Sequence, residues 1–218
     1  MSQGFKIYTK TGDAGTTLLY TGDRLAKDHA IFQSLGSIDE LNAHLGLARH
    51  HYTQMVSGKP SQPVEAHHEQ LEELQARLID VGSHVATPRT ADEETNEKKL
   101  QHTLFDAENT DTLERWIDQM DSQLPPLKNF ILPSGGLTAS QLHIARTVCR
   151  RAERDLVPLH SEGHIDATVY KYINRMSDYL FMLARICAQY EGEVETVYKK
   201  AKRSKDAASA DQEAEESK

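Results

Sequence analysis

Residues 172–187 read YINRMSDYLFMLARIC, and this stretch decides the fold class. Its apolar side chains recur at alternating three- and four-residue steps, which places them on one face of an α-helix. The apolar positions are Ile173, Met176, Leu180, Leu183 and Cys187. The pattern predicts a helix over residues 166–190, and Gly192 is expected to cap its C-terminus.

The same period predicts four more helices earlier in the chain. We place them at residues 28–52, 64–85, 113–124 and 138–157. The segments 53–64, 89–107 and 130–136 are predicted to be connections, and the polar segment 89–107 is expected to be mobile. Because no segment alternates between apolar and polar residues as a strand does, an all-α five-helix bundle is predicted.

Helix ends are predicted from prolines and capping residues. Pro125 and Pro158 are expected to end the third and fourth helices, because proline lacks an amide hydrogen and its ring clashes with the preceding turn. Thr138 followed by Gln141 indicates a capping box at the start of the fourth helix.

The chain divides into three predicted parts. Residues 1–27 are rich in Gly and Thr without a helical period, and are expected to form a structured nucleotide-binding loop that includes a short extended piece. Residues 28–195 form the bundle. Residues 196–218 form a charged tail that is predicted to be disordered, since its residues from 199 on have no apolar face.

Composition excludes several classes of protein. The formal net charge of −8 argues against a general nucleic-acid binder. The sequence contains no run of about 18 apolar residues and no signal-peptide core, so neither a membrane span nor secretion is expected. Cys149 and Cys187 lie in apolar helical patterns without Cys-x-x-Cys spacing, and are expected to be reduced core thiols of an intracellular protein.

The loop at residues 9–17 offers small residues, backbone amides and several hydroxyls, which suit a phosphate chain at close range. It is not a Walker A loop, because no lysine follows Gly15. A plain turn remains the alternative, with Lys27 as a solvated lysine.

The fourth predicted helix carries a basic stripe. Arg146, Arg150 and Glu153 follow i, i+4, i+7 spacing, and Arg151 and Arg154 flank them. Guanidinium groups on one side of a helix can hold phosphate oxygens, and the carboxylate can orient an arginine or meet a magnesium ion. A solvated basic face with one ion pair is the alternative.

The fifth predicted helix carries a polar stripe beside its apolar face. The stripe consists of Asn174, Ser177, Asp178, Phe181 and Arg185. It fits the lining of an interhelical site, or equally a surface or subunit contact. A metal site is not predicted, because the segment Glu65-x-x-His68 supplies only half of a di-iron bundle signature.

Six segments, in their order along the chain, resemble the ATP:cob(I)alamin adenosyltransferases of the propanediol-utilisation type. They are IYTKTGD at 7–13, the step Arg24-x-x-Lys27-Asp28, SIDELN at 37–42, FILPSGG at 130–136, CRRAER at 149–154 and YINRMSDYLF at 172–181. The resemblance covers residues 7–190 apart from the connections at 53–64 and 89–107. Ala14 departs from the family, where a lysine is common, and is expected to remove one phosphate contact.

The resemblance implies a homotrimer with an active site at each subunit interface. Asp39 is expected to pair across the interface with Arg146, and Phe130 to lie over the corrin, where it helps to displace the lower axial ligand. The residues expected to act in the reaction are Arg150, Phe130, Asp39 and Arg146. The residues expected to bind the substrates are Thr9, Lys10, Thr11, Gly12, Gly15, Thr16, Thr17, Lys27, Arg150, Arg151, Glu153, Arg154, Asn174 and Asp178.

The reaction implied by the resemblance uses no protein nucleophile. Cob(I)alamin attacks the 5′ carbon of ATP, which is bound with Mg2+, and triphosphate leaves. A helical corrinoid carrier regulated by ATP is the alternative function, and a bundle metalloprotein is a third. The expected recipient of the product is an adenosylcobalamin-dependent mutase or dehydratase, and the expected compartment is the cytoplasm in a bacterium or the mitochondrial matrix in a eukaryote.

Overall fold

The computed structural model describes residue 8, residues 10–57 and residues 64–201, except for the side chains of residues 64, 65 and 93. Thr9, residues 58–63 of one predicted connection and residues 202–218 of the predicted tail lie outside the described residues. The described chain contains two short strands and six helices. They are β1 (Thr16–Leu18), β2 (Arg24–Ala26), α1 (Ala30–Val56), α2 (Val64–Val85), α3 (Glu93–His102), α4 (Glu108–Asp121), α5 (Gly136–Ser161) and α6 (Ala167–Glu191).

Helix α6 lies at the centre of the packing. It contacts α5 and α4, while α1 contacts both α5 and α2. All five apolar positions predicted for this helix are fully buried. The predicted helical class is confirmed, and Gly192 caps α6 with a left-handed φ of 75°. Both cysteines are free and buried in this core, as the sequence predicted.

The prediction of five helices and a mobile segment at residues 89–107 is wrong, because α3 lies within that segment. Its sequence has almost no apolar residues, so no periodicity reveals it. Polar contacts hold it instead: Arg89 donates to the Leu100 carbonyl (2.8 Å), and the Lys99 ammonium donates to the Thr21 carbonyl (3.0 Å).

The predicted capping box at Thr138 is also wrong, because α5 begins two residues earlier, at Gly136. A carboxylate from the end of α6 caps it: Glu191 accepts from the Thr138 amide (3.2 Å). A Cβ on Gly136, whose φ is +89°, would lie 1.8 Å from a Glu191 oxygen, so only glycine fits here.

Neither Pro125 nor Pro158 ends a helix at the position that the sequence predicted. Helix α5 continues through Pro158 to Ser161, because a proline in the last turn removes only one helical hydrogen bond. Helix α4 ends at Asp121, before Pro125 is reached. Helix α1 extends to Val56, beyond the predicted end at residue 52.

The predicted disordered tail does not begin at residue 196. Val197 forms an antiparallel bridge with Ile131, and the Thr196 carbonyl accepts from the Leu132 amide (2.8 Å). This pairing uses backbone groups, so an apolar pattern could not reveal it. None of the helices in the described ranges is long and apolar enough to cross a membrane.

His84 is a buried residue that joins the ends of α2 and α3 to the start of α6. Its Nδ1 donates to the Thr103 carbonyl (2.8 Å), and its Nε2 accepts from the Asp166 amide (3.0 Å). These partners require the neutral ring. Burial, and then the charge of Arg89, lower the pKa of His84 from 6.5 to about 4. Two residues later, the Ala86 carbonyl accepts from the N-terminal hairpin, so this contact network helps to position the hairpin.

The lowered pKa of His84 predicts a loss of stability in mild acid. The unfolded chain binds a proton near pH 6.5 and the folded chain only near pH 4, so stability present above pH 6.5 is lost as the pH falls towards 4. Between pH 7 and pH 5, this group should lower the free energy of unfolding by roughly 2 kcal/mol. Urea unfolding of the protein and of His84→Gln at both pH values measures the difference. Equal pH dependence in the two proteins would contradict the prediction.

Candidate active site

The N-terminal segment is built on a hairpin that is anchored to the bundle. β1 and β2 pair antiparallel, with Thr16 opposite Ala26. At the turn, Leu19 is buried, and the Tyr20 amide donates to the Ala86 carbonyl (3.1 Å) just past the end of α2. The predicted phosphate-binding loop is therefore held against the bundle.

The loop at residues 10–15 folds back on this hairpin. The Gly15 amide donates to the Gly12 carbonyl (3.2 Å), and the Lys27 amide donates to the Gly15 carbonyl (2.9 Å). Lys10 has a φ of +59°, which is uncommon for a residue with a side chain. Such backbone strain clusters at ligand-binding sites. The loop is thus a defined structure, and one of its non-glycine residues is strained.

The side chain of Lys27 lies directly over the loop. A Cβ added to Gly12 would lie 3.0 Å from the Lys27 Nζ and 3.2 Å from its Cε. The glycine therefore makes room for the lysine ammonium. The sequence predicted Lys27 at this loop, and the structure brings its exposed side chain beside Gly12.

Arg24 fastens the two ends of the loop together. Its guanidinium donates to the Thr11 carbonyl (3.2 Å) and to the Thr16 hydroxyl (3.1 Å). Arg24 was not among the predicted site residues, although it lies in one of the six segments. The sequence offered it only as part of the family segment that contains Lys27, because the contacts that define its role cross the hairpin.

The loop and part of the basic stripe lie at the same end of the bundle. Near the start of α1, the Ser34 hydroxyl donates to the Asp155 carbonyl of α5 (3.0 Å). The hairpin brings Gly15 of the loop to Lys27, just before α1, while Arg154 directly precedes Asp155 and Arg150 lies one turn earlier. The exposed arginines of α5 therefore share this end with the loop.

Arg146 and Arg150 are two cations one helical turn apart on α5, and within the described part of the chain neither forms an ion pair. The buried Nε of Arg146 has no hydrogen-bond partner among the described residues. Burial, and then the charge of Arg150, lower the pKa of Arg146. One turn earlier, burial and Arg146 lower the pKa of His143 to about 4, so its ring is neutral at pH 7. This part of α5 lacks a negative charge, which an anionic ligand or a second subunit would supply.

Arg151 points towards α1 and forms an ion pair with Glu40. Asp39 directly precedes Glu40 and is also a predicted site residue. It is exposed, and it lines a cavity of about 620 Å3. The cavity lies beside α1 and α2, and its walls include Tyr20, Ile79 and Leu104. Within one chain, Arg151 is thus already paired, and Asp39 lies on a partly apolar surface.

Two residues of the polar stripe on α6 face different helices, α5 and α4. Asn174 donates to a Glu153 carboxylate oxygen on α5 (2.8 Å), which links two predicted site residues directly. Asp178 instead accepts from Arg175 (3.0 Å), whose Nε also donates to Glu114 of α4 (2.9 Å). Asn174 therefore joins the basic stripe, whereas Asp178 is held on the α4 side.

Phe130 lies at the opposite end of α5. Its side chain is 84% exposed and precedes the first turn of the helix. Arg150 lies about 21 Å further along the helix axis, at about 1.5 Å per residue from Gly136. A single chain therefore presents the cationic region and the exposed aromatic ring at separate places. In the part of the chain that the structure describes, no group of three or more His, Cys, Asp or Glu is arranged to hold a metal ion.

Comparison with known proteins identifies the family. The model of the family described as cobalamin adenosyltransferase matches residues 7–187. The corrinoid adenosyltransferase MMAB of Mus musculus is 49% identical over 195 residues, covering 89% of this chain and 78% of the relative. The corrinoid adenosyltransferase of Bacillus subtilis is 40% identical over 196 residues, covering 90% and 93%.

A solved structure agrees with these relatives. It is a variant of the PduO-type ATP:corrinoid adenosyltransferase from Lactobacillus reuteri in complex with cobalamin and ATP. The two chains superpose with a TM-score of 0.76 at 37% identity, covering 89% of this chain and 100% of the other. The match extends through the hairpin, the basic stripe and the polar stripe, and the chain belongs to the cobalamin adenosyltransferase family.

Proposed function

We infer that this chain is an ATP-dependent corrinoid adenosyltransferase. The electron pair of Co(I) in cob(I)alamin forms a bond to the 5′ carbon of ATP. The bond from that carbon to the phosphate oxygen breaks, and its electron pair leaves with triphosphate. The observation that carries this inference is the gathering of the closed loop, Lys27 and the exposed arginines of α5 at one end of the bundle.

The chain contributes charge and position rather than a nucleophile. The loop amides and Lys27 face the phosphates, and Arg150 and Arg154 neutralise the charge that develops as triphosphate leaves. Preorganised donors of this kind are each worth about 10²- to 10³-fold in rate. Glu153, oriented by Asn174, keeps a free carboxylate oxygen, which suits the hard Mg2+ ion that accompanies ATP.

The unpaired charge of Arg146 supports a homotrimer. Its buried Nε needs an acceptor, and Asp39 is exposed on a surface with apolar walls. Contact between Asp39 of one subunit and Arg146 of the next would satisfy both groups, because a buried donor without a partner costs roughly 1–3 kcal/mol. The same assembly would bring Phe130 and the cationic region of different subunits into one site. The product is then passed to an adenosylcobalamin-dependent mutase or dehydratase.

The exposed ring of Phe130 suits the face of a corrin. An aromatic side chain that is 84% exposed costs free energy in water unless a ligand covers it. Packed beneath the corrin, the ring would exclude the lower axial ligand. Cobalt without that ligand is more easily reduced to the nucleophilic Co(I) state.

Incubation with ATP, cobalamin and a strong reductant is the experiment that tests this function. The absorption spectrum of Co(I) should be replaced by that of adenosylcobalamin, and one triphosphate should be released for each product molecule. Binding of both substrates without triphosphate release would identify a carrier and contradict the enzyme. Arg150→Ala should lower the rate by roughly 10²- to 10³-fold with the fold intact.

The matched control for Arg150→Ala is Arg115→Ala. Arg115 is an exposed arginine on α4 that donates to Thr112 of its own helix. Its removal changes the net charge equally but should leave the rate unchanged. Equal effects of the two substitutions would remove Arg150 from the site.

Arg24→Ala should weaken ATP binding without affecting corrinoid binding. The loss of two charged hydrogen bonds releases the ends of the loop, and each such bond is worth roughly 1.5–3 kcal/mol. The KM for ATP should therefore rise about tenfold or more. Arg24→Lys keeps the charge but lacks the planar guanidinium, so it should recover ATP binding only in part. Full recovery of ATP binding in Arg24→Lys would show that charge alone matters.

A further inference from the structure

The segment after α6 forms a short strap, which we define as residues 193–198. It pairs with the segment that carries Phe130. The Tyr198 amide donates to the carbonyl of Phe130 itself (2.8 Å), and the Leu132 amide donates to the Thr196 carbonyl (2.8 Å). Between them, Ile131 and Val197 form an antiparallel bridge. The strap therefore holds the backbone from the Phe130 carbonyl to Leu132.

A third hydrogen bond fixes the register of this pairing. The Thr196 amide donates to the Ser134 hydroxyl (3.0 Å), which in turn donates to the Leu132 carbonyl (3.0 Å). The contact spans the last residues before α5. A strap displaced by one residue would lose it, so the pairing is specific.

Arg185 connects the strap to the helical bundle. This residue of α6 is only 4% exposed. Its Nε forms an ion pair with Glu195 of the strap (3.0 Å), and its Nη2 donates to the Pro125 carbonyl (2.9 Å). One buried guanidinium therefore fastens both the strap and the chain that leads to Phe130. A charge this deeply buried must be paired, and removing one partner leaves the other uncompensated.

The exposed ring of Phe130 cannot set its own position. With 84% of its surface in solvent, the side chain has little packing of its own. Its location therefore follows the backbone, and the backbone is held by the strap. Of the described contacts, the Arg185–Glu195 pair is the one in which a side chain joins the strap to the core.

We propose that the Arg185–Glu195 pair is a positioning device for Phe130, acting through the strap. This inference rests on the proposed function, in which Phe130 covers the corrin. Corrinoid binding then depends on Arg185 of α6 and Glu195 of the strap, two residues that are distant from Phe130 in the sequence. Loss of the pair leaves the ATP loop untouched, because the loop is anchored at the opposite end of α5.

Glu195→Gln tests the proposal, since it removes the charge and keeps the shape. The kcat/KM for the corrinoid should fall roughly ten- to a hundredfold, because a misplacement of about 1 Å can cost about 10²-fold. The KM for ATP should not change. Bound cob(II)alamin should also lose part of the electron paramagnetic resonance signal of the form without a lower axial ligand. The matched control is Glu193→Gln, an exposed carboxylate on the same strap, which should behave as the unaltered protein.

A second pair of variants tests the backbone link independently. Tyr198→Pro removes the amide that donates to the Phe130 carbonyl, whereas Tyr198→Ala keeps it. The proline variant should show the larger corrinoid defect of the two, again with an unchanged KM for ATP. Thermal unfolding of all variants separates a general loss of stability from this selective effect.

The outcomes distinguish the proposal from the function on which it rests. If the unaltered protein forms no adenosylcobalamin, both fall. If it is active and Glu195→Gln matches Glu193→Gln in the corrinoid kinetics and the resonance signal, the positioning role alone is overturned. Equal increases in the KM values of ATP and corrinoid, with a lower unfolding temperature, would make Arg185–Glu195 a purely structural pair and would also overturn it.

Discussion

The antiparallel packing of α5 on α6 is the constraint on which the rest of the structure depends. Gly135 and Ala188 meet at one end, where an added Cβ on the glycine would lie 2.5 Å from the alanine Cβ. Near the middle, the Cys149 thiol donates to the Ile173 carbonyl (3.2 Å). Small residues at these points let the two backbones approach closely. The arginines, Glu153 and Asn174 of the proposed site lie on this pair of helices.

The two parts of the proposed site, the exposed aromatic ring and the arginines, lie at different positions along the axis of helix α5. The start of α5 adjoins the exposed ring of Phe130, and its later turns carry the arginines. Burial, and then repulsion from Arg150, disfavour the charge on Arg146, so the cationic region is incomplete without an anion. The triphosphate of ATP and a carboxylate from a second subunit are the two anions that our account assigns to it. Binding of the substrate would thus relieve an electrostatic cost that the folded chain carries.

The helices of the core could be predicted because their apolar residues repeat with the helical period, as residues 172–187 do. Helix α3 could not, since its contacts are polar and come from distant parts of the chain, such as the bond from Lys99 to the Thr21 carbonyl. The same reason applies to Arg24 and Arg185. The sequence places Arg24 in a family segment and Arg185 in the polar stripe, but each acquires its role from acceptors that only the folded chain brings near. The family segments identified Lys27, but only the structure placed it over Gly12.

The central claim is that the loop, Lys27 and the arginines of α5 form a site for the triphosphate of ATP. Calorimetric titration with inorganic triphosphate tests it most directly, because this ligand lacks the adenosine and the corrinoid. Triphosphate should bind, ATP should displace it, and its binding should weaken as salt is raised and be largely abolished in Arg150→Ala. Undiminished triphosphate binding by Arg150→Ala, or ATP binding that triphosphate cannot displace, would contradict it.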